Sequence, residues 1–578
     1  MRILSVALVV AVLIQALAAG PASAQVTLEP IRPMEEQPAT SVSSAAPRMN
    51  PPAPPPTAAF GVPATVGVPE ATGPPTNRTP AILGVYPNPI HHGDPGEFVI
   101  VRLPPDATGT WTIADDHRSV DLPSHATGIV AATPEPWLVR PIVDVTVVQV
   151  GDDLRLADAG ETIRLLHDGE VVDEVTYGRA PQGELFRPGD GWEPLGATNF
   201  QPTASGPASV HPFVLPDAPE MPVQIFRTAD RRILLAGYTL SDRRVVRELL
   251  DAHERGVEVR VLVEGGPVGG FSQRSAALLD VLDGAGIEVR AVGGPRDRYG
   301  FHHAKYAVVD NRSIVLSENW KPAGTGGRAS RGWGVVVDDH ATAAQLARVF
   351  QADAGWRDGL TWTEFRRETT FYPSEPADGT YPTRFEPRTM EAESVSVLLA
   401  PENVESEVLT LIESADERVL VQQVTIGDRT FPFLEATVDA ARRGVEVQIL
   451  LSSAWYVRDD NAKLAQWLNE VAAIEGLPLE AKLADSGSRF EKIHNKGVVV
   501  DGERVLVGSV NWNNHSVRQN REVALVLEGT EVAGYYERTF EADWRGGWWR
   551  FPVGVGIAVL VATGLATWFG RREISFES

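Results

Sequence analysis

Two stretches of this 578-residue chain repeat one pattern of strand, helix, glycine and strand, and no other feature narrows the fold as much. The first copy runs from Arg232-Ile233-Leu234-Leu235-Ala236 through a helical stretch ending at His253-Glu254-Arg255, then enters Gly256-Val257-Glu258-Val259-Arg260-Val261-Leu262-Val263. The second runs from Arg418-Val419-Leu420-Val421-Gln422 through Ala440-Ala441-Arg442-Arg443 into Gly444-Val445-Glu446-Val447-Gln448-Ile449-Leu450-Leu451. A glycine that closes a helix ahead of a β-branched run marks a β-α-β unit, so each copy is expected to supply parallel strands buried under helices. The match continues downstream: His303-Ala304-Lys305 with Asp310 lies 47 residues after Gly256, and His494-Asn495-Lys496 with Asp501 lies 50 residues after Gly444. Both read His-x-Lys-x4-Asp. Ser317-Glu318-Asn319-Trp320 follows the first motif and Ser509-Val510-Asn511-Trp512 the second.

The chemistry needs both copies. On a strand, residues i and i+2 share a face, so imidazole and ammonium converge on one anionic group. One His-x-Lys pair is ordinarily a solvated feature, whereas a duplicate with matching Ser and Asn calls for a shared site. Two copies bring two histidines and two lysines round one pocket, with no metal and no cofactor required. A phosphodiester suits that pocket: Lys305, Lys496 and the amides of Asn319 and Asn511 hold its nonbridging oxygens, one histidine attacks phosphorus, and the other protonates the leaving oxygen. One imidazole must start neutral and its twin protonated, so their surroundings must separate their pKa values. His302 alternates to the opposite face and receives no catalytic role. Trp320 and Trp512 read as packing residues. The absence of cysteine excludes thiol catalysis and a disulfide scaffold. With 76 acidic against 52 basic side chains, the net charge of −24 repels polyanions, and nucleic acid could bind only through a local basic pocket.

Residues 216–546 resemble the phospholipase D superfamily through these paired His-x-Lys-x4-Asp motifs, each followed by a Ser and an Asn. The resemblance implies that His303 is the nucleophile that forms a phosphohistidine and His494 the general acid and then base. It further implies that Lys305, Lys496, Asn319 and Asn511 bind phosphate, with Asp310, Asp501, Ser317, Ser509 and Glu522 in support. With both halves in one chain, no dimer is needed. One departure stands out. Glu522 in Asn520-Arg521-Glu522 matches the acidic position that orients a histidine in the family, but the aligned first-copy stretch, Gly332-Trp333-Gly334, lacks it. The site is therefore expected to be asymmetric; Glu318 could compensate for the missing carboxylate, but it reads first as an exposed loop glutamate.

The rest of the chain is expected to divide by composition. Residues 1–24 read as a signal peptide, with an apolar run from Ile3 to Leu17 and Ala22-Ser23-Ala24 at the cleavage site. Residues 25–78 carry 13 prolines and read as a disordered spacer. Short alternating segments over 79–180 predict an antiparallel, immunoglobulin-like β-sandwich with a hairpin tip at His167-Asp168-Gly169. This region resembles the lamin-tail domain through Tyr86-Pro87-Asn88-Pro89, Gly96-Glu97-Phe98-Val99 and Asp173-x-Val175-x-Tyr177-Gly178, which implies binding or spacing. His91-His92 reads as a surface pair without a third metal ligand.

Residues 181–215 read as a linker, 216–360 as the first α/β half, 361–391 as a second linker and 392–546 as the second half. Residues 551–569 form a 19-residue uncharged run, expected to be a transmembrane helix with 570–578 as a cytoplasmic tail. The expected protein is a single-pass cell-membrane phosphodiesterase facing outward, with a phospholipid as substrate. An extracellular nuclease and a surface binding or adhesion protein with a lapsed enzyme domain are the alternatives.

Overall fold

Alternating apolar residues between 81 and 194 build two sheets, of six and four strands, in a computed structural model of the chain. The structure describes residues 79–546 apart from 90–94, 106–107, 141, 144, 196–197, 199, 294–297 and 357. The expected signal peptide, proline-rich spacer, His91-His92 pair, transmembrane segment and cytoplasmic tail lie outside the described residues. Among the described residues no helix is long and apolar enough to cross a membrane.

The sandwich closes on one core, where Val85, Val99, Val101 and Val130 of the larger sheet meet Trp111, Ile113, Ile163 and Leu165 of the smaller. At the predicted hairpin tip Asp168 and Gly169 both take positive φ, 49° and 86°, which suits a two-residue turn between twisted strands. Two expectations need correction. Thr146–Gln149 runs parallel to Gly128–Thr133, so the sheet is not wholly antiparallel. The sandwich also continues into the expected linker 181–215, because Glu184–Arg187 pairs with Ala81–Tyr86 and buries Leu185 beside Tyr86 and Phe98.

Beyond the sandwich the repeat becomes two mixed sheets of matching order. The first half carries β1 (Ala208–Leu215), α1 (Met221–Arg227), β2 (Arg232–Gly237), α2 (Arg243–Glu254), β3 (Glu258–Glu264), α3 (Gln273–Gly284), β4 (Glu288–Val292), β5 (Tyr306–Val309), β6 (Arg312–Leu316), β7 (Ser330–Asp338) and α4 (His340–Ala354). The second carries β8 (Ser394–Ala400), α5 (Val404–Glu413), β9 (Arg418–Gln423), α6 (Pro432–Arg442), β10 (Glu446–Leu451), α7 (Arg458–Glu475), β11 (Leu479–Leu483), β12 (Lys496–Val500), β13 (Arg504–Gly508), β14 (Glu522–Glu528) and α8 (Thr530–Arg545). The strand orders, β1-β7-β6-β5-β2-β3-β4 and β8-β14-β13-β12-β9-β10-β11, are the same permutation.

Along these orders only β2-β3-β4 and β9-β10-β11 pair in parallel; the other neighbours pair antiparallel, β5 with β6 and β12 with β13 across tight turns. The two expected linkers also contribute strands. Thr203–Ser205 pairs with β8 and Met390–Ala392 with β1, so each sheet is edged by a segment leading into the other half. Within 361–391, Thr361 caps a helix over Trp362–Glu368 whose Trp362 is buried against Phe271 and Phe365.

The inner faces of the two sheets and the helices α4 and α8 share one core. Trp333, Val335, Leu346 and Phe350 of the first half pack in it with Val499, Val505, Val523, Tyr536 and Phe540 of the second. Trp333 packs against Tyr536 with ring centres 4.8 Å apart and planes tilted by 36°, and Gly497 leaves the room it needs: a Cβ there would lie 2.2 Å from the indole. The halves are thereby fixed to each other by a buried apolar interface, which positions the loops at its edge.

Candidate active site

Both His-x-Lys pairs stand just ahead of or at the start of their strands. β5 begins at Tyr306 and β12 at Lys496, so each histidine sits in the extended segment before the strand and not on it as expected. What fixes the histidines is the opposite half. The His303 N–H donates to the carbonyl of Arg521, and the His494 N–H to the carbonyl of Arg331, each at 2.9 Å.

Those two arginines are fully buried and held by crossed ion pairs. Arg521, just ahead of β14, meets Asp353 of α4 at 3.1 Å and Glu402 at 2.7 Å; Arg331 on β7 meets Asp543 of α8 at 2.9 Å and Asp217 at 2.5 Å. A buried guanidinium tolerates this position only with such partners. Each histidine's backbone is thus tied across the pseudo-dyad to a rigid charged anchor.

The motif aspartates lie at the far end of the strands. Asp310 and Asp501 adopt left-handed backbone, φ 56° and 55°. Asp310 accepts the backbone N–H groups of Asp230, Arg231 and Arg232, and Asp501 those of Asp416, Glu417 and Arg418, at 2.8 to 3.1 Å. They pin the entry to β2 and β9 and do not reach the histidines' pocket. Ser317 and Ser509 act alike on β7 and β14: their hydroxyls accept the N–H of Trp333 and Val523. His302 is fully buried and its Nε2 faces Asp353 at 3.1 Å, away from the pocket. Trp320 and Trp512 are wholly buried.

The side chains of His303, Lys305, His494 and Lys496 come together. Lys305 Nζ turns back on the His303 carbonyl, and Lys496 Nζ donates to the His494 carbonyl at 2.7 Å and lies 3.1 Å from its Nδ1. The charges of Lys496, Lys321 and Lys305 and the ring of His303 all bear on His494. Asn319 is buried with its side-chain carbonyl oxygen unpartnered, and the backbone N–H of Asn511 donates to Ser516 Oγ at 2.9 Å. Tyr238 stands edge-on to His303 with ring centres 4.8 Å apart, and Lys305 lies over its face at 5.1 Å.

The histidines differ in what holds their rings. His303 Nδ1 lies 2.9 Å from both oxygens of Glu522. That carboxylate is itself fixed by Ser516 Oγ at 2.6 Å and Asn520 Nδ2 at 3.1 Å. Burial opposes its charge, yet His303 and Lys305 hold it down at about 2. With Nδ1–H donating to this anion, Nε2 is left with its lone pair toward the pocket. Burial pushes the His303 imidazolium down to about 4 against the pull of Glu522.

His494 Nδ1 instead faces the Ser317 carbonyl at 3.2 Å and Glu318 at 3.4 Å. Burial and then Lys496, Lys321 and Lys305 drive its imidazolium well below the usual range. Burial also lowers Lys496 to about 8 and Lys305 well below its ordinary value. Burial thus disfavours the charged forms of both lysines and both histidines, a cost that an incoming anion would offset.

Two sequence expectations change here. The residue equivalent to Glu522 is Gly332, because β1 pairs Leu215 with Gly332 as β8 pairs Ala400 with Glu522; this register is offset by two from the one read in the sequence. Glu318 is not exposed: it is fully buried and fills the space beside Gly332. Sequence reasoning also passed over Tyr238, Ser516, Asn520 and the anchors Arg331 and Arg521. The arginines were legible in the repeat, since each falls immediately before the Gly332/Glu522 position.

Two pseudo-symmetric mixed sheets, each carrying one His-x-Lys motif, are similar to phospholipase D-like domains. Residues 223–354 and 408–544 match the family model described as cardiolipin synthase, PLD-like domain. The chain is 35% identical over 103 residues to cardiolipin synthase A of Citrobacter koseri, covering 18% of this chain and 19% of that protein. It is 36% identical over 99 residues to cardiolipin synthase A of Salmonella arizonae, 17% and 18% of the respective lengths. It thus spans less than a fifth of the curated relatives it matches. Among solved structures, phosphatidylserine synthase of Haemophilus influenzae aligns with a TM-score of 0.43 at 13% identity, over 57% of this chain and 84% of that one. The phospholipase D family member Nuc of Salmonella typhimurium aligns at 0.24 and 19%, over 30% and 100%.

Proposed function

We propose that the chain is a phospholipase D-type enzyme that hydrolyses or transfers a phosphodiester, in the first instance of a phospholipid, through a phosphohistidine. The observation that carries this reading is the pair of imidazoles, each held by the opposite half and each beside a buried lysine. The lysines and the Asn319 and Asn511 amides grip the nonbridging oxygens. His303 Nε2 attacks phosphorus, forming a P–N bond as the P–O bond to the leaving group breaks, and His494 gives its proton to the departing oxygen. Neutral His494 then takes a proton from water or an alcohol, whose oxygen attacks phosphorus and breaks the P–N bond, so both histidines return to their starting states. His303 suits the nucleophile because Glu522 fixes its tautomer and burial keeps it neutral. The bound phosphodiester supplies the negative charge that raises His494 enough to serve as the acid.

A phospholipid is favoured by the names of the matched relatives and by the 19-residue uncharged run at 551–569, read as a membrane anchor. On the same reading the N-terminal leader sends the domains outward, and the lamin-tail-like sandwich serves as a binding or spacing module. The test uses the purified full chain with phospholipid vesicles and, separately, with plasmid at matched salt. Headgroup release or transfer is expected. Plasmid degradation without lipid turnover would make the protein a nuclease, and inertness toward both would leave a surface binding protein.

A further inference from the structure

The two halves place their acidic residues at different points of the same scaffold. In the second half the carboxylate is on β14 at Glu522, and the position after Ser509 is Val510. In the first half the equivalent β7 position is Gly332, and the position after Ser317 is Glu318. These differences are complementary in space. A Cβ at Gly332 would lie 2.2 Å from Cγ of Glu318 and 2.7 Å from its Oε1, so the glutamate occupies the volume a residue-332 side chain would claim.

Glu318 is fully buried, neither of its oxygens has a hydrogen-bond partner, and Oε2 is 3.4 Å from Nδ1 of His494. A buried carboxyl with both oxygens unpartnered is costly and is retained where it has a task. Its distance to His494 is the counterpart of the 2.9 Å contact between Glu522 and His303, each carboxylate coming from the half opposite its histidine.

We infer that Glu318 is the positioning carboxylate of His494, moved from the β7 strand to the following loop residue of the β6 strand end, and that Gly332 is the vacancy that lets it fold in. The inference rests on the phosphodiesterase reading for its kinetics but not for its geometry. Glu318 orients the His494 ring through Nδ1 and favours its protonated form, the form that delivers a proton to the leaving oxygen. The charged groups around Glu318 are Lys496, Lys321, Lys492 and Lys305, besides His494 itself; burial lifts the carboxyl to about 7 against their pull.

Three variants of the full chain test this. Glu318→Gln keeps the volume and removes the charge; kcat on phospholipid vesicles should fall by about tenfold or more with KM little changed, and the alkaline limb of the pH profile should move to lower pH as the His494 acid loses its anion. Glu318→Val should be as impaired, and Glu318→Val combined with Gly332→Glu, which copies the second half's arrangement onto the first, should recover activity. Ring nitrogen spectra of 15N-histidine-labelled full chain supply a readout that does not depend on turnover: in Glu318→Gln the His494 titration should shift to lower pH while that of His303 stays. Unchanged His494 titration in Glu318→Gln, or a double variant no better than Glu318→Val, would overturn the inference. A wild-type chain without phosphodiesterase activity but with the His494 shift would sink the functional reading alone.

Discussion

The two histidines are twins in backbone and strangers in company. Both N–H groups bond to the carbonyl of a buried arginine from the other half, at the same 2.9 Å. Around the rings the symmetry ends. His303 meets a carboxylate locked by Ser516 and Asn520, whereas His494 meets the Ser317 carbonyl, the ammonium of Lys496 and a carboxyl with no hydrogen bond. Duplication supplies the frame, and local substitutions assign different work to its two equivalent points.

The largest expected effect comes from the imidazoles. His303→Asn or His494→Asn should each lower turnover by about 10³-fold or more with the thermal transition unchanged; a variant of either that keeps wild-type rates would remove the shared site. Next comes the anchor they share. Arg521→Leu leaves Glu402 buried without its cation and Asp353 with Arg298 alone at 3.7 Å, and should cost about 3–5 kcal/mol in unfolding free energy, measured by denaturant titration. Arg331→Leu should cost about as much, and a large difference between the two would show that the pseudo-dyad does not extend to energetics.

Glu522→Gln should reduce kcat by about 10²-fold, more than Glu318→Gln, because Glu522 is hydrogen-bonded to its histidine and Glu318 is not. Equal losses would mean that the two carboxylates are equivalent in spite of their settings. On the pH axis, the alkaline limb belongs to the His494 acid, and Lys496 adds a further decline as pH rises through about 8, where it loses the proton that lets it hold phosphate, with no acid limb from His303 until about pH 4. The smallest effect is expected from chelators, which should leave turnover within about twofold, as the proposed steps run through protein groups alone. Among the described residues no group of three or more His, Asp or Glu is arranged to hold a metal ion.

The repeat made much of this readable in the sequence. Period, glycine spacing and the doubled motif announce two halves and the residues they bring together, because a duplicated β-α-β unit carries its pattern in local order. What stayed hidden depends on contacts between segments far apart in the chain. Gly332 and Glu318 look unrelated until β6 and β7 pair and put one against the other. The strands at 203–205 and 390–392 are too short to show alternation and exist because a neighbouring edge offers unpaired backbone. Likewise, the motif histidines looked like strand residues because periodicity does not register the cross-half hydrogen bonds that hold them outside the strand.

The claim that one phosphorus atom is handed to a histidine of the first half, with the second half supplying the proton, is open to direct observation. Rapid acid-free quench of His494→Asn with a phospholipid substrate, followed by peptide mass mapping, should find the phosphoryl adduct on His303. An adduct on His494 in the converse His303→Asn variant, or none in either variant while the wild type turns over, would contradict it.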